Sequence, residues 1–457
     1  MSQTQKDQLK FIDVRAPLWR ALLLLPVIFA LTIAWLTGRW YLGNTMAEFV
    51  PPVDQGGLEG ARAAIDLAPD DPLAHFILGN MEKDTLLPER LPAAVKQYEE
   101  AVKLSPYDYR YWLALGRARE LAGDIEGGEK ALRRAVELAP SYSYPRWYLG
   151  NLLFRANRRE ESFKELRLAG ETNSLLMPQV CILAWYAFEG NVPEIERTIG
   201  DKALTRAQLA IFLASKEKPD DALRLWKSLS SEEREQWPDV GISLFQTFFE
   251  KASYRAAIEV AKEVKPETAG DINKLVNGGF ESGVGGSDPV SFGWRVAPIH
   301  QTEITIDPNV KHGGNRSLRI VFGGYSTNTF ANIWQVIALE PNTRYRLDFY
   351  VRTKDLKTGG PPTIEVANPV NSYPIAKSQP IATDTNDWQQ MTIEFTSLDK
   401  PDGLVVRTNR VPCEPLCPIY GTVWYDDFNL QRIGPAETRR AENIGPRGPD
   451  TKPTPAR

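Results

Sequence analysis

The feature that most restricts the fold is a repeat of 34 residues. Leu115-Gly116 recurs as Leu149-Gly150, and Tyr98, Ala101 and Pro106 recur in register as Leu132, Ala135 and Pro140. Leu78-Gly79 stands 37 residues before Leu115-Gly116, and the surplus of three fits an insertion at 86–92. A unit that repeats at this period cannot bury its apolar face alone and must stack on copies of itself. Within one unit, small residues (Gly116, Gly128, Ala135) let two helices approach. Large ones (Trp112, Leu115, Leu132) fill the seam, and Pro140 ends the second helix.

The order Trp112, Leu115, Gly116, Gly128, Leu132, Ala135, Pro140 is similar to the tetratricopeptide (TPR) pattern. Residues 57–69 read as the second helix of a preceding half-unit. Beyond residue 173 the pattern degrades but stays helical over 180–189, 206–216, 220–228, 238–251 and 254–264. A TPR-like α-solenoid is therefore expected over 56–268, with three clear repeats and two or three degenerate ones. Such an array docks a protein partner on its concave surface or serves as a spacer. Residues 56–271 hold 29 basic and 35 acidic side chains, which disfavours nucleic acid and an anionic lipid surface. Cys181, beside Ile182 and Leu183, reads as a buried thiol.

Before the repeats, residues 21–38 (ALLLLPVIFALTIAWLTG) carry no charge. At about 1.5 Å per residue this run spans ~27 Å, close to the hydrocarbon thickness of a bilayer. Trp19, Trp40 and Tyr41 flank it as interfacial aromatics do. A single transmembrane helix is expected over 21–41, with a cleaved signal peptide as the alternative. Lys6, Lys10, Arg15 and Arg20 precede it and only Arg39 follows before Arg62, which puts 1–20 in the cytoplasm. The bulk would then lie in the periplasm or outside a bacterial-type inner membrane.

After Pro266 the helical period gives way to short alternating strands. In 344–352 (RYRLDFYVR), Tyr345, Leu347, Phe349 and Val351 share one face. Further strands are expected over 317–322, 333–339, 363–366, 389–395, 404–407 and 422–430. About eight strands in some 160 residues argue for a C-terminal antiparallel β-sandwich over 272–433. The whole is a multidomain α and β chain. Residues 434–457, rich in Pro, Arg and Gly, read as a disordered tail.

Val276-Asn277-Gly278-Gly279-Phe280-Glu281 followed by Gly293-Trp294 resembles the start of the jelly-roll carbohydrate-binding modules that accompany bacterial xylanases and glucanases. The likeness continues through GGNRSLRI (313–320), Gln335, PNTRY (341–345), Asp387-Trp388-Gln389 and VWYDDFNL (423–430). The wider galactose-binding-like superfamily shares this outline, so the fold alone does not choose a ligand. The resemblance implies a structural calcium site held by the Glu281 and Asp426 side chains with the Gly279 and Lys311 or His312 carbonyls. Alternation is expected to turn Asp426 inward with Trp424, Phe428 and Leu430.

The solvent side of the sheet offers Gln335, Arg346, Tyr350, Arg352, Glu365, Arg407 and Asn409 for glycan, with Tyr325 and Tyr373 on loops. Several arginines on such a face suit an acidic sugar. The plain alternative is a polar face with cross-strand ion pairs. Trp294, Trp334, Trp388 and Trp424 are expected to face the core. Cys413 and Cys417 read as a loop disulfide in an oxidising compartment.

The chain holds three histidines and no nucleophile–base pair, phosphate loop or HExxH, so no enzyme is expected. The function expected is a membrane-anchored scaffold in cell-envelope polysaccharide assembly. Its repeats would dock a protein and its sandwich a glycan. The alternative is a structural scaffold without glycan binding.

Overall fold

A computed structural model of the chain describes residues 17–436 apart from 201, 287, 289, 414 and 415. The expected cytoplasmic segment up to residue 16 and the tail from 437 lie outside the described residues. The chain forms two compact units that divide between Asp201 and Lys202.

The first unit opens with α1 (Pro17–Glu48). It is long and apolar enough to cross a membrane, and residues 21–38 are all exposed. The helix does not stop near residue 41. It runs on as the first helix of the repeat array, packing on α2 (Gly57–Leu67) and α3 (Pro72–Asp84). Ala47 lies in one buried cluster with Ala64 and Ala74. A Cβ on Gly43 would stand 2.6 Å from Ala68 Cβ, so only a glycine allows this approach. The half-unit read at 57–69 thus finds its missing partner in the end of the apolar helix.

Hairpins follow: α3 with α4 (Leu91–Leu104), α5 (Tyr109–Leu121) with α6 (Ile125–Leu138), and α7 (Ser143–Arg155) with α8 (Arg159–Thr172). The Leu-Gly pairs explain their closeness. A Cβ on Gly79, Gly116 or Gly150 would come within 2.8 Å of Tyr98, 2.6 Å of Leu132 or 2.7 Å of Leu166. The extra residues before α4 form a loop with a 3-10 turn, Pro88–Arg90. Two more helices, α9 (Met177–Ala187) and α10 (Val192–Ile199), close this unit. Cys181 on α9 is buried, which pushes its thiol up to about 12.

The second unit holds α11 (Ala203–Ser215), α12 (Pro219–Lys227), α13 (Ser231–Gln236), α14 (Pro238–Glu250) and α15 (Tyr254–Val264). A sandwich follows, with ten strands among the described residues. They are β1 (Arg295–Val296), β2 (Thr302–Asp307), β3 (Ser317–Tyr325), β4 (Ile333–Ala338), β5 (Thr343–Thr358), β6 (Pro362–Ala367), β7 (Pro374–Lys377), β8 (Asp384–Thr396), β9 (Gly403–Arg410) and β10 (Ile419–Pro435).

One antiparallel sheet has the order β1-β4-β9-β6-β7 and the other β2-β3-β10-β5-β8. Their facing sides bury Ile333, Ile337, Tyr345, Leu347, Phe349, Val351, Ile364, Val406, Val423 and Tyr425 in one core. Alternation on β5 falls as expected. β10 extends further than expected: Gly434 and Pro435 pair with Arg344 and Thr343, inside what composition assigned to the tail.

The helices of this unit are tied to the sandwich. The Asp402 carboxylate accepts from Tyr254 N at 2.5 Å and Arg255 N at 3.2 Å, capping α15 from a loop remote in sequence. The Phe292 ring packs edge-on against Phe245, Phe249 and Tyr254.

Candidate functional site on the β-sandwich

The pairing register distributes the candidate residues over two opposite faces. On the outer face of the β1-β4-β9-β6-β7 sheet, Arg295 pairs with Trp334, Trp334 with Arg407, Arg407 with Glu365, and Glu365 with Lys377. One cross-strand row thus crosses all five strands. Four gaps of about 4.8 Å give it a length of ~19 Å. Asn409 stands beside it, two residues along β9.

Glu365 is the hub of this row and is 1% exposed. Its Oε2 accepts from Arg407 Nε at 2.8 Å and Asn409 Nδ2 at 3.1 Å, and Oε1 pairs with Lys377 Nζ at 3.0 Å. Burial alone would raise its pKa. The bonds from Lys377, Arg407 and Asn409 outweigh burial and hold it below the ordinary value. Arg407 also donates to the Ser372 carbonyl at 3.0 Å, so the β6–β7 turn leans on the guanidinium. Three cations share the row with one carboxylate: Arg407 and Lys377 pair with Glu365, and the Arg295 guanidinium lies 5.6 Å from the centre of the Phe249 ring, with half-buried Trp334 between Arg295 and Arg407 in the register.

Arg346, Tyr350 and Arg352 lie on the outer face of the other sheet. Arg346 pairs with Glu394 at 3.0 Å, and Arg352 stands 3.7 Å from Asp387. Exposed pairs of this kind contribute little to stability. Tyr350 stacks on His312 at 3.6 Å. Gln335 faces inward and is buried. Its Oε1 accepts from Val276 N at 3.1 Å and its Nε2 donates to Val276 O at 2.7 Å, so it staples the entering chain to β4. Tyr325 is not on a loop but ends β3, paired with Ile419 and buried, whereas Tyr373 is exposed.

Of the four tryptophans expected in the core, Trp294 is there. Trp334, Trp388 and Trp424 sit at strand positions that point outward, opposite in parity to core neighbours such as Ile333, Ile393 and Val423. Trp424 Nε1 donates to Asp307 at 2.9 Å.

The same parity corrects Asp426. It points outward with Trp424, while a bulge at Asp427 (φ 50°) returns Phe428 to the core. Asp426 is nevertheless buried, because the 311–316 loop folds over it. Its Oδ2 accepts from His312 N at 2.8 Å and Gly313 N at 3.2 Å, and Oδ1 from Asp427 N at 2.8 Å. Burial raises its pKa, these N–H bonds oppose the rise, and the Asp427 charge adds to it. Glu281 Oε1 accepts from Asn315 N at 2.7 Å. A Cβ on Gly279 would lie 3.5 Å from Asp427 Oδ1 and 4.0 Å from Asp426 Oδ1, so these carboxylates close on the Gly279 backbone.

Among the described residues no three His, Cys, Asp or Glu side chains are placed to hold a metal ion together. The Glu281, Asp426 and Asp427 carboxylates gather near the Gly279 backbone, and their oxygens already accept N–H bonds from the 311–316 loop and from Asp427.

Cys413 and Cys417 are bonded, with Cα atoms 5.5 Å apart. Arg410, 3% exposed, anchors the loops around them. It donates to the Gly360 and Thr327 carbonyls, to Thr358 Oγ1 and to Cys417 Sγ. Sequence reasoning missed this residue because the expected strand ends at 407; continued to 410, the alternation of Leu404 and Val406 turns Arg410 inward.

Residues 273–414 match a family described as "Carbohydrate binding domain". The matched residues lie on the β-sandwich, which follows the TPR-like helical hairpins. Among solved structures, one titled "CBM4 structure and function" is 15% identical, covers 35% of this chain and 99% of its own, and has a TM-score of 0.27. The TPR protein YrrB is 15% identical, with 46% and 94% coverage and a TM-score of 0.25. MamA from Desulfovibrio magneticus RS-1 is 20% identical, with 30% and 76% coverage and a TM-score of 0.26. No curated protein matches the chain.

Proposed function

We propose that this chain is a membrane-anchored scaffold whose sandwich binds an acidic glycan and whose helical hairpins dock a protein partner. The observation that carries the glycan half is the row Arg295–Trp334–Arg407–Glu365–Lys377. An aromatic ring flanked by guanidinium groups suits a sugar ring bearing a carboxylate. Buried Glu365 holds Arg407 in place before any ligand arrives. In this reading Arg407 and Asn409 contact the sugar and Trp334 provides the apolar platform. Arg346, Tyr350 and Arg352, on the opposite face, have a smaller part.

The helical region supports protein docking by its fold class. The α1 helix supports a single membrane span, and the basic residues before it favour a cytoplasmic N-terminus with the rest in the periplasm or outside. A place in cell-envelope polysaccharide assembly follows from joining these parts in one chain. Calcium at Glu281 and Asp426 would hold the 311–316 loop to β10. No catalytic step is assigned.

A purely structural sandwich is the competing reading. It is favoured by the way Glu365 and the Ser372 carbonyl already engage Arg407. A glycan array probed with the full chain in detergent separates the two. Retention on acidic polysaccharides supports binding, and retention on none refutes it.

A further inference from the structure

We infer that the edge of the helical array carrying the α2–α3, α4–α5 and α6–α7 turns lies on the lipid headgroup layer, with tyrosines as its anchors. The inference rests on the reading that α1 spans a membrane, and goes beyond it by assigning a lipid-facing surface.

The geometry begins with α1, which is both the apolar helix and the first helix of the array. Residues 43–47 are packed into the hairpin, while residues 21–38 leave it bare. No linker separates the two stretches, so the orientation of the span sets that of the first repeats. The helix leaves the array on the side where α3 begins. Asn44 Nδ2 donates at 2.9 Å to Asp71 Oδ2, and Asp71 caps the first turn of α3. The α2–α3 turn is level with the end of the uncharged run. Leu36, Arg39 and Trp40 line a cavity of about 540 Å³ together with Leu67, Pro69 and Asp70.

The hairpins repeat, so the turns at 105–108 and 139–142 take the same edge as 68–71. Those turns expose Tyr107 at 80% and Tyr142 at 57%. The Tyr142 ring lies 5.1 Å from that of Tyr109, so neighbouring turns form one aromatic strip. Tyrosine and tryptophan favour the membrane–water interface, where an apolar ring and a polar tip are both accommodated. The opposite edge also exposes apolar residues, Leu86 and Leu121 among them. It stands a helix length away, ~20 Å for 13 residues, on the side from which α1 does not emerge. The same edge carries Asp66 and Asp70 and the ion pairs Arg110–Asp108, Lys103–Glu100 and Arg134–Glu137. The proposed contact is therefore made by the tyrosine rings, and the acidic side chains there call for no anionic lipid.

The test uses the full chain in phosphatidylcholine vesicles, spin-labelled through Ser141→Cys or, as a control on the far edge, Glu126→Cys. Cys181 is buried and Cys413–Cys417 are bonded, which leaves the introduced thiol as the reactive one. The expected result is a several-fold higher ratio of oxygen to nickel-chelate accessibility at position 141 than at 126, unchanged in high salt. Equal ratios on protein that floats with the vesicles would overturn the inference and leave the membrane span intact. Failure to float with the vesicles would overturn the span, and the inference with it.

Discussion

Arg407 Nε donates to Glu365 Oε2 at 2.8 Å across neighbouring strands, and Glu365 is almost wholly buried. A buried carboxylate stripped of its main partner is costly, about 3 kcal/mol for such pairs. Arg407→Ala is expected to destabilise the sandwich by ~3 kcal/mol in urea denaturation. The pH dependence has a definite sign. Glu365 has a folded pKa below its ordinary value, so its contribution is present above pH 4.5 and is lost as pH falls through the folded value. Removing Arg407 raises that folded value, so acid unfolding of the variant begins at higher pH than in the wild type.

The crossing of α1 with α2 is tight at one residue and open at another. A side chain at Gly43 would meet Ala68 and Ala64, whereas Gly38 has nothing within 4 Å. Gly43→Ile should destabilise the first hairpin by ~1–3 kcal/mol, the range for overpacking, and speed hydrogen exchange in α2. Gly38→Ile should leave exchange in α2 unchanged.

Asp402 caps α15 across the gap between helices and sandwich. Asp402→Ala removes two acceptors for the helix's first N–H groups and the partner of Arg255. A loss of ~1 kcal/mol is expected from the cap. Asp402→Asn, which keeps an acceptor, should recover most of it in thermal unfolding.

If the proposed calcium site at Glu281 and Asp426 exists, the ion would bind the native state and stabilise it by mass action. Millimolar calcium should raise the melting temperature of EDTA-treated protein, and Asp426→Asn should abolish the rise. An identical melting temperature with and without calcium would count against the site.

The broad architecture was legible because its signals are periodic. The 34-residue spacing of the Leu-Gly pairs marks helices whose glycines receive Tyr98, Leu132 and Leu166. Alternation in 344–352 assigned Tyr345, Leu347, Phe349 and Val351 to the core. Parity failed where a strand bends or where a face is not what its residue types suggest. The bulge at Asp427 puts Trp424 and Asp426 one residue out of the expected parity, while Phe428 and Leu430 beyond it face the core as expected. Trp334 looks like core material, yet Gln335 beside it is the buried residue, because its amide is satisfied by Val276. The candidate glycan residues were read as one surface although they sit on two sheets. Register between strands remote in sequence depends on the whole fold. The shared role of residues 43–47 was hidden because an apolar run reads the same whether it meets lipid or a neighbouring helix.

Affinity electrophoresis of the full chain in detergent, through gels containing an acidic polysaccharide such as polygalacturonate, tests the central claim most directly. The wild type is expected to be retarded. Trp334→Ala should abolish the retardation while remaining folded by circular dichroism, and Arg352→Ala, on the opposite face, should preserve it. Retardation lost in Arg352→Ala but kept in Trp334→Ala would contradict the assignment of the face. No retardation of the wild type would contradict acidic-glycan binding itself.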